Sequence, residues 1–451
     1  MSMALIILAA GKGTRMNSDL PKVLHRIADA PMLVHAMQAG AALDPDHTVI
    51  VAGHEAEAVA AAAQEHDEAA RIVLQEEQLG TAHAVAQAQA KLEDFTGDAI
   101  VLYGDTPFIR PATLEKMAAA RAAHDVVVLG FEAADPGRYG RLVVEGSTLT
   151  RIVEFKDASL AEHAITLCNS GVVMAPAPLL FELIAEVGND NASGEYYLTD
   201  IVALARARGL SATAVTCDEA ETMGINSRTD LSRAEAAFQA RARAGALENG
   251  VTLTAPDTVH FAYDTHLGRD CLIEPNVVFG PGVTIETGAH IRAFSHLEGC
   301  HVARGAVVGP YARLRPGTEL SEDSRIGNFV EVKNALIGEG AKVNHLSYIG
   351  DAQVGRDSNI GAGTITCNYD GVMKHQTQIG ERVFIGSNTM LVAPVSVGDE
   401  AMTGSGSVIT QDVAPGALAI ARAKQVDKPG MGRKLMEMLR AKKARQDKER
   451  G

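Results

Sequence analysis

The stretch from Val302 to Val332 reads VARGAVVGPYARLRPGTELSEDSRIGNFVEV and decides the fold of the second half of the chain. It carries an aliphatic residue at every sixth position. An α-helix repeats about every 3.6 residues and a half-buried strand about every 2, so neither explains this period. A hexapeptide period is typical of a parallel β-helix, in which six residues form one side of a triangular coil.

The same period extends in both directions from this stretch, with single-residue slips. It covers the positions Leu267, Ile273, Phe279, Ile285, Ile291, Leu297, Val302, Val308, Leu314, Leu320, Ile326, Val332, Ile337, Val343, Ile349, Val354, Ile360, Ile379, Ile385, Leu391, Val397, Thr403 and Ile409. We expect these side chains to point inward and to stack, because one coil cannot bury its own apolar column. The segment from Thr366 to Gln378 breaks the period, so it is predicted to project as a loop.

The residues before position 226 follow a different pattern, in which apolar runs alternate with Ala-rich helical stretches. The clearest runs are residues 4–8, 48–52, 99–103 and 126–129. Continuous apolar strands separated by helices indicate a Rossmann-like α/β domain with a parallel sheet covered on both faces. We therefore expect an α/β domain over residues 1–226, a linker helix over residues 227–250 and a β-helix domain with a basic tail over residues 251–451.

Composition excludes several classes of protein. The formal net charge of −15 argues against a general nucleic-acid binder, and the aromatic content of 4% without Trp leaves few platforms for stacking bases. The apolar run Met3–Ala10 is too short to span a membrane, and no basic segment precedes it as in a signal peptide. The five scattered cysteines form no CxxC pair. These features lead us to expect a soluble cytoplasmic protein without a disulfide framework.

A glycine-rich segment, LAAGKGTRM, begins at Leu8 and follows the first apolar run directly. Its glycines let the main chain approach a ligand closely, and Lys12, Arg15 and the nearby Lys22 add positive charge. This combination predicts a phosphate-binding turn. The alternative is a plain strand-to-helix connection, since the segment matches neither the Walker A pattern nor the dinucleotide fingerprint.

Asp105 follows a second apolar run, in the string Tyr103-Gly104-Asp105. Ligands gather at the carboxyl ends of strands in open α/β sheets, so this carboxylate is well placed for a metal. Mg²⁺ takes one or two oxygen ligands from protein and completes its shell with phosphates and water. Asp105 together with Asn226 would meet that need, although either residue alone could be a turn or capping residue.

A second candidate site lies inside the hexapeptide series, at Asn344-His345-Leu346-Ser347-Tyr348. An amine must lose its proton before it can attack a thioester, and a histidine suits the role of base near neutral pH. We expect Glu331 to hold the imidazole in the right tautomer. Arg315 and Lys333 suit a phosphate group, although each could be a solvated surface charge.

LAAGKGTRM followed by LPKVLH resembles the sugar-nucleotide pyrophosphorylases. Together with the hexapeptide half, roughly residues 4–425 are similar to the family of bifunctional bacterial enzymes that make UDP-N-acetylglucosamine. That resemblance implies a nucleotidyltransferase domain followed by a left-handed parallel β-helix. It also implies an N-acetylglucosamine-1-phosphate uridylyltransferase joined to a glucosamine-1-phosphate acetyltransferase, with products used for peptidoglycan and lipopolysaccharide synthesis.

The resemblance also implies roles for particular residues. UTP would contact Leu8, Ala9, Ala10, Gly11, Arg15 and Lys22, with the uracil held by Gln75, Gly80 and Thr81. Tyr103 and Gly104 would complete the nucleotide and sugar site, Asp105 and Asn226 would carry Mg²⁺, and the sugar would contact Gly140, Glu154 and Asn169. In the second half His345 would be the general base, and glucosamine-1-phosphate would contact Arg315, Lys333, Tyr348 and Asn359. Acetyl-CoA would contact Ala362, Asn368, Tyr369, Ser387, Ser405 and Arg422.

The expected enzyme uses acetyl-CoA and UTP as co-substrates and acts on small molecules, without a nucleic-acid or membrane partner. Related β-helix acyltransferases form trimers, so the resemblance implies a homotrimer. Two alternatives stay open from the sequence. One is a pyrophosphorylase whose β-helix only oligomerises or regulates, and the other is a non-enzymatic trimeric scaffold with a degenerate first domain.

Overall fold

The computed structural model describes residues 2–450, without the side chains of residues 449 and 450. The chain divides into two compact units, Met1–Gly245 with Phe261–Tyr263, and Ala246–His260 with Asp264–Gly451. Within residues 2–450, no helix combines the length and the apolar composition that a membrane crossing requires.

The first unit is built on one sheet. Its strands are β1 Met3–Ala9, β2 His47–Ala52, β3 Arg71–Leu74, β4 Asp98–Tyr103, β5 Val126–Glu132, β6 Arg141–Glu145, β7 Thr148–Val153, β8 Leu167–Pro176 and β9 Ala212–Cys217. The strand order is β9-β5-β8-β4-β1-β2-β3, with the β6–β7 hairpin attached at β8. A further short hairpin joins Arg26–Ile27 to Ala30–Pro31.

Helices cover both faces of this sheet. In chain order, the helices up to residue 248 are α1 Met32–Ala41, α2 Ala56–His66, α3 Thr81–Ala86, α4 Pro111–Arg121, α5 Leu160–His163, α6 Ala177–Ala185, α7 Asp200–Ala207 and the long α8 Arg228–Glu248. Single 3₁₀ turns occur at Thr14–Met16, Lys22–Leu24, Gln89–Lys91 and Glu219–Thr222. Alternate residues of β1 enter different cores, Ile6 on one face and Ile7 on the other, so the strand is apolar throughout.

The α/β fold of this unit is confirmed, but the sheet is mixed rather than wholly parallel. Strand β8 runs antiparallel to both of its neighbours, β4 and β5, whereas the β1–β4, β1–β2 and β5–β9 pairs are parallel. An apolar run buried on both faces reads the same in either direction. The sequence pattern therefore carried no information about the direction of this strand.

The second unit is a stack of triangular coils built from short parallel strands. These are Thr252–Leu253, His266–Leu267, Leu272–Ile273, Val278–Phe279, Val283–Ile285, His290–Ile291, His296–Leu297, Cys300–Val302, Val307–Val308, Arg313–Leu314, Thr318–Leu320, Arg325–Asn328, Glu331–Ile337, Lys342–His345, Tyr348–Val354, Asn359–Ile360, Ile365–Cys367, Thr377–Ile379, Phe384–Ile385, Met390–Val392, Val395–Val397, Met402–Thr403, Val408–Ile409 and Leu418–Ala419. A 3₁₀ turn lies at Pro256–Thr258, and the chain continues into α9, Met431–Arg450.

The coil has three faces, which we name by the inward residues that stack on them. The first face passes through Ile291, Val308, Ile326 and Val343, the second through Leu297, Leu314, Val332 and Ile349, and the third through Val302, Leu320, Ile337 and Val354. Every position of the hexapeptide series except Leu267 is at most 4% exposed. Leu267 lies on the terminal strand of its sheet, so only one side of it is covered by a neighbouring strand. The hexapeptide prediction is confirmed.

One coil is longer than the others. Asn359 pairs with Phe384, 25 positions later, whereas Val307 pairs with Arg325 after 18 positions and Lys342 with Asn359 after 17. The extra residues form the loop around Asn368 to His375, closed by a hydrogen bond from the His375 amide to the Asn368 carbonyl of 2.8 Å. The break in the period therefore corresponds to a projecting loop.

Candidate active sites

The first site forms where β1 and β4 end side by side, because Leu8 pairs with Tyr103 in the sheet. The loops that follow these two strands therefore share one edge. A cavity of about 250 Å³ opens there, lined by Leu8, Ala9, Ala10, Gly11, Lys22, Val23, Gln75, Gln78, Gly80, Thr81, Ala84, Tyr103, Asp105 and Glu195. The cavity brings together most of the residues that the sequence assigns to the nucleotide.

Positive and negative groups meet at one end of this cavity. Lys22 Nζ contacts the Asp105 carboxylate and lies 3.2 Å from Asn226 Oδ1, which also accepts from Arg15 Nη2 at 2.8 Å. The Asp105 carbonyl accepts from the Ile225 amide at 3.0 Å, which ties the two segments together. Asp105 and Asn226, which lie more than a hundred positions apart in the sequence, thus both contact the Lys22 ammonium group.

Mg²⁺ is the metal ion expected beside Asp105 and Asn226. Among residues 2–450 no group of three His, Cys, Asp or Glu side chains is arranged for a metal. The Asp105 carboxylate and the Asn226 amide oxygen nevertheless converge on a position that now holds the Lys22 ammonium. One carboxylate and one amide oxygen suit a Mg²⁺ ion that completes its shell with phosphates and water, so the donor set fits.

The segment from Gln75 to Thr81 forms another part of the cavity wall. Gln75 is only 4% exposed, and the Thr81 hydroxyl accepts from the Leu198 amide at 2.9 Å. Gly80 has a φ of +123°, and a Cβ added to it would lie 2.4 Å from the Tyr196 carbonyl oxygen. Only glycine fits at this position, so the main chain here can approach a flat ligand.

The residues assigned to the sugar, Gly140, Glu154 and Asn169, lie close to one another. The Asn169 amide donates to the Gly140 carbonyl at 2.9 Å, and a Cβ on Gly140 would lie 3.4 Å from the Glu154 carboxylate. Burial raises the pKa of Glu154, whose Oε1 accepts from the Thr199 hydroxyl at 3.2 Å. Burial also raises the pKa of Tyr103, with the charges of Glu154 and Asp105 adding to the effect. Tyr103 is thus close enough to both Glu154 and Asp105 for their charges to act on it.

Arg141 is a supporting residue that the sequence analysis missed. It is 2% exposed and donates to the carbonyl oxygens of Pro136, Gly137 and Tyr139, which fixes the loop that carries Gly140. A buried guanidinium needs such acceptors, because an unpaired buried charge is costly. The only sequence signal was an arginine at the start of a strand, which is too common to be informative.

The second site lies on the β-helix. His345 is exposed at the end of a strand of the first face, and its Nδ1 lies 2.9 Å from Asn328 Oδ1. A cavity of about 300 Å³ beside it is lined by residues that include Arg292, Arg325 and Asn344. The imidazole is therefore accessible to a small-molecule substrate.

Within one chain, His345 does not contact Glu331, the partner that the sequence analysis expected. Glu331 accepts from Arg315 Nη1 at 2.8 Å, and Asn328 rather than Glu331 contacts the imidazole. The reason is geometric, since Asn328 pairs directly with His345 along the stack, whereas Glu331 lies on the second face and pairs with Tyr348. The number of residues that separate Asn328 or Glu331 from His345 did not reveal on which face of the coil each side chain lies.

His345 belongs to a column of residues that runs along the first face of the stack. Asn328, His345, Ala362, Ser387 and Ser405 each come two positions after an inward residue of the first face, so they occupy equivalent places in successive coils. Arg422 Nη1 donates to the Ser405 carbonyl at 2.6 Å. The column brings together His345 and three of the residues assigned to acetyl-CoA, and Arg422, a fourth, is bound to it through Ser405.

The remaining residues of the predicted acetyltransferase site lie elsewhere. Arg315, Lys333 and Tyr348 belong to the second face, where Tyr348 lies over Gly350, the strand partner of Lys333. The pKa of Lys333 is lowered, first by the adjacent Lys374 ammonium and further by Arg315. Arg315 and Lys333, with the nearby Lys374, form a positively charged patch.

The projecting loop lies beyond the second face. Asp351 accepts from the side-chain amides of Asn334, at 2.6 Å, and Asn368, which holds the base of the loop. Tyr369 is 61% exposed on the loop. Asn359 lies on the first face beside Lys342. Within one chain, then, the cavity beside His345 contains neither Arg315, Lys333, Tyr348, Asn368 nor Tyr369.

Comparison with known proteins gives matches over both halves. The MobA-like NTP transferase domain matches residues 5–182, and the bacterial transferase hexapeptide model (six repeats) matches residues 264–299 and 376–411. The "Bifunctional protein GlmU" of Ruegeria sp. (strain TM1040) is 72% identical over 98% of this chain and 99% of its own length. The protein of the same name from Roseobacter denitrificans is 70% identical over 99% of this chain and 100% of its own length.

The fold and the sites define a nucleotidyltransferase domain joined to a hexapeptide-repeat acyltransferase domain. The chain belongs to the family of bifunctional GlmU proteins. It is a bifunctional enzyme with uridylyltransferase and acetyltransferase activity in UDP-N-acetylglucosamine synthesis. This membership removes the alternatives of a single-activity pyrophosphorylase and of a non-enzymatic scaffold.

Proposed function

We propose that residues 1–226 transfer UMP from UTP to N-acetylglucosamine-1-phosphate, and that residues 251–451 first acetylate glucosamine-1-phosphate from acetyl-CoA, with residues 227–250 as the connecting helix. The observation that carries the proposal is the convergence of Lys22, Asp105 and Asn226 at the mouth of the nucleotide cavity. Such a cluster is suited to a triphosphate. The order follows from chemistry, because the uridylyl acceptor already carries the acetyl group.

In the first reaction, a phosphate oxygen of the sugar attacks the α-phosphorus of UTP, and the bond to the leaving pyrophosphate breaks. Catalysis of this kind depends on positioning and charge neutralisation rather than on a covalent protein intermediate. The turn at Gly11, with Arg15 and Lys22, supports binding of the triphosphate. Asp105 and Asn226 would hold Mg²⁺, which neutralises negative charge on the triphosphate when bound.

In the second reaction, the amine of glucosamine-1-phosphate attacks the thioester carbonyl of acetyl-CoA. His345 takes the amine proton and passes it to the departing thiolate of coenzyme A, so protons and charges balance. The contact with Asn328 supports this role, since an Nδ1–H that donates to Asn328 Oδ1 leaves Nε2 free as the base. Arg315 and Lys333 carry the charge that suits the sugar phosphate.

We also propose that the enzyme is a homotrimer whose acetyltransferase sites lie between subunits. The support is the separation within one chain of the His345 column from the positively charged patch of Arg315 and Lys333. A second copy can present the missing group to each His345. A closed ring repeats the same contact at every interface.

The trimer proposal makes a prediction for mixed assemblies. Purified His345→Ala and Lys333→Ala proteins should each have low acetyltransferase activity, whereas co-expression of the two should restore activity. If the two variants assemble at random, about a quarter of the interfaces combine a native His345 from one subunit with a native Lys333 from the next. Acetyl transfer is measured by release of free thiol from acetyl-CoA. No restoration in assemblies shown to contain both chains would place the complete site within one subunit.

The two-step function itself is tested with the wild-type protein. Glucosamine-1-phosphate, acetyl-CoA, UTP and Mg²⁺ together should give both free thiol and pyrophosphate, and omission of acetyl-CoA should abolish the pyrophosphate as well. Thiol without pyrophosphate would confine the activity to the β-helix. Pyrophosphate without acetyl-CoA would contradict the proposed order.

A cytoplasmic location is also part of the proposal. All five cysteines, at positions 168, 217, 271, 300 and 367, are free thiols in the structure. Free thiols are typical of proteins in a reducing compartment.

A further inference from the structure

Gln75 reaches the nucleotide cavity from a buried position. Its amide nitrogen Nε2 lies 3.2 Å from the Gly80 carbonyl oxygen and 3.0 Å from His83 Nδ1. A carbonyl oxygen only accepts hydrogen bonds, so the atom that faces Gly80 must be the amide nitrogen. The orientation of the Gln75 amide is therefore fixed by its surroundings.

The Gly80 carbonyl is itself held in place. It accepts from the Ala84 amide at 3.1 Å, as the first acceptor of α3. The neighbouring main chain is locked against Tyr196, whose amide donates to the Leu79 carbonyl at 2.8 Å and whose carbonyl accepts from the Ala82 amide at 3.0 Å. This fixed acceptor holds one of the two N–H groups of Gln75.

His83 holds the other N–H group. It lies in the first turn of α3, and its Nδ1 can accept from Gln75 only while that nitrogen carries no proton. Both ring nitrogens face an amide nitrogen, since Gln87 Nε2 lies 3.2 Å from His83 Nε2, but a neutral imidazole accepts at only one of them. The acceptor belongs at Nδ1, because Gln75 is 4% exposed, whereas the half-buried Gln87 already donates to the His83 carbonyl at 2.9 Å. Both hydrogens of the Gln75 amide are then used.

The amide oxygen Oε1 is the polar atom of the Gln75 side chain that these contacts leave unused. Oε1 accepts no hydrogen bond from any residue in the described range 2–450, and Gln75 lines the cavity. An acceptor in the cavity suits the N3–H of uracil. Cytosine presents a lone pair at the same ring position, so two acceptors would face each other.

We propose that His83 is a positioning residue for nucleobase selection, which keeps Gln75 Oε1 directed at the base and so favours UTP over CTP. The inference rests on the proposed function, because it requires the base of the nucleotide to occupy this cavity. His83 touches no reacting atom. It acts through Gln75 alone.

The test compares His83→Leu with His83→Asn. The two replacement side chains have the same branching, but only asparagine offers an acceptor, its Oδ1, near the position of Nδ1. The values of kcat/KM for UTP and CTP are measured by pyrophosphate release with N-acetylglucosamine-1-phosphate. We expect His83→Leu to lower the UTP-to-CTP ratio by about tenfold, the value of one hydrogen bond of about 1.4 kcal/mol. The loss should fall mainly on KM, and His83→Asn should recover most of it.

Several results would overturn the inference. An unchanged UTP-to-CTP ratio in His83→Leu would do so, as would an equal loss for both nucleotides that asparagine does not repair, since that pattern indicates a purely structural role. His83→Ala removes the same acceptor without added bulk and serves if the leucine variant does not fold. Titration of each variant with UTP and CTP alone repeats the comparison without turnover. A wild-type protein that releases no pyrophosphate from UTP would instead overturn the proposed function.

Discussion

Replacement of Asp105 by alanine is expected to lower uridylyl transfer by about 100- to 1,000-fold and to leave acetyl transfer unchanged. Asp105 is one of the two oxygen donors that converge at the mouth of the nucleotide cavity, and it also holds Lys22 in place. Removal of one fixed electrostatic group from a reaction centre typically costs this much in rate. Pyrophosphate release and thiol release are measured on the same preparation.

Two further variants separate the chemistry of Asp105 from a loss of folding. Asp105→Asn keeps the shape and one oxygen donor but not the charge, so its rate should lie between those of the wild type and Asp105→Ala. Asp98 lies at the other end of β4, where it pairs with Arg121 at 3.0 Å. Asp98→Ala should therefore retain uridylyl transfer. Loss of both activities in a folded Asp105→Ala protein would contradict the independence of the two sites.

Replacement of His345 by alanine is expected to lower acetyl transfer by about 100- to 10,000-fold, the usual range for loss of a general base. Uridylyl transfer should be unaffected. Asn328→Ala should have a smaller effect, because it removes the acceptor that orients the imidazole but leaves the base itself. Thiol release at saturating acetyl-CoA and glucosamine-1-phosphate is the measurement.

His301 provides a matched control on the same β-helix. Its two ring nitrogens lie 3.0 Å from Glu286 and 3.1 Å from Glu319, on the third face of the coil. His301→Ala removes a half-buried histidine from that face, so acetyl transfer should keep its wild-type rate. A His345→Ala protein that acetylates at the wild-type rate near pH 7.5 would refute the assignment of the base.

Much of the architecture could be predicted because its signals are local and repeated. The hexapeptide period recurs over more than twenty positions, so a slip of one residue at Val302 or Val354 did not hide it. The glycine-rich turn after β1 and its cations are adjacent in the chain, which places phosphate-binding chemistry on one loop. The family resemblance then gave roles to the residues that these patterns had singled out, and it added residues that no pattern had indicated, such as Gln75, Glu154 and Ala362.

The missed features are those that depend on which distant residues come into contact. Arg141 and His83 act through main-chain carbonyls and an amide that the sequence does not place beside them. The partner of His345 is Asn328 because the two residues share one face, and the choice between Asn328 and Glu331 turns on a difference of three positions within a coil. Spacing alone cannot resolve such a choice.

The amino-acid order by itself determined that this protein combines a layered α/β domain with a triangular coil, and it predicted a phosphate-binding turn and singled out Asp105 and His345. It could do so because hydrophobic periodicity and short motifs act over a few neighbouring residues. Tertiary structure alone decided that β8 runs against its neighbours, that Lys22 contacts both Asp105 and Asn226, and that the groups assigned to acetyl transfer lie on separate faces of the coil. Those outcomes follow from long-range packing, in which the direction of a strand and the face of a side chain are set by contacts far away in the sequence.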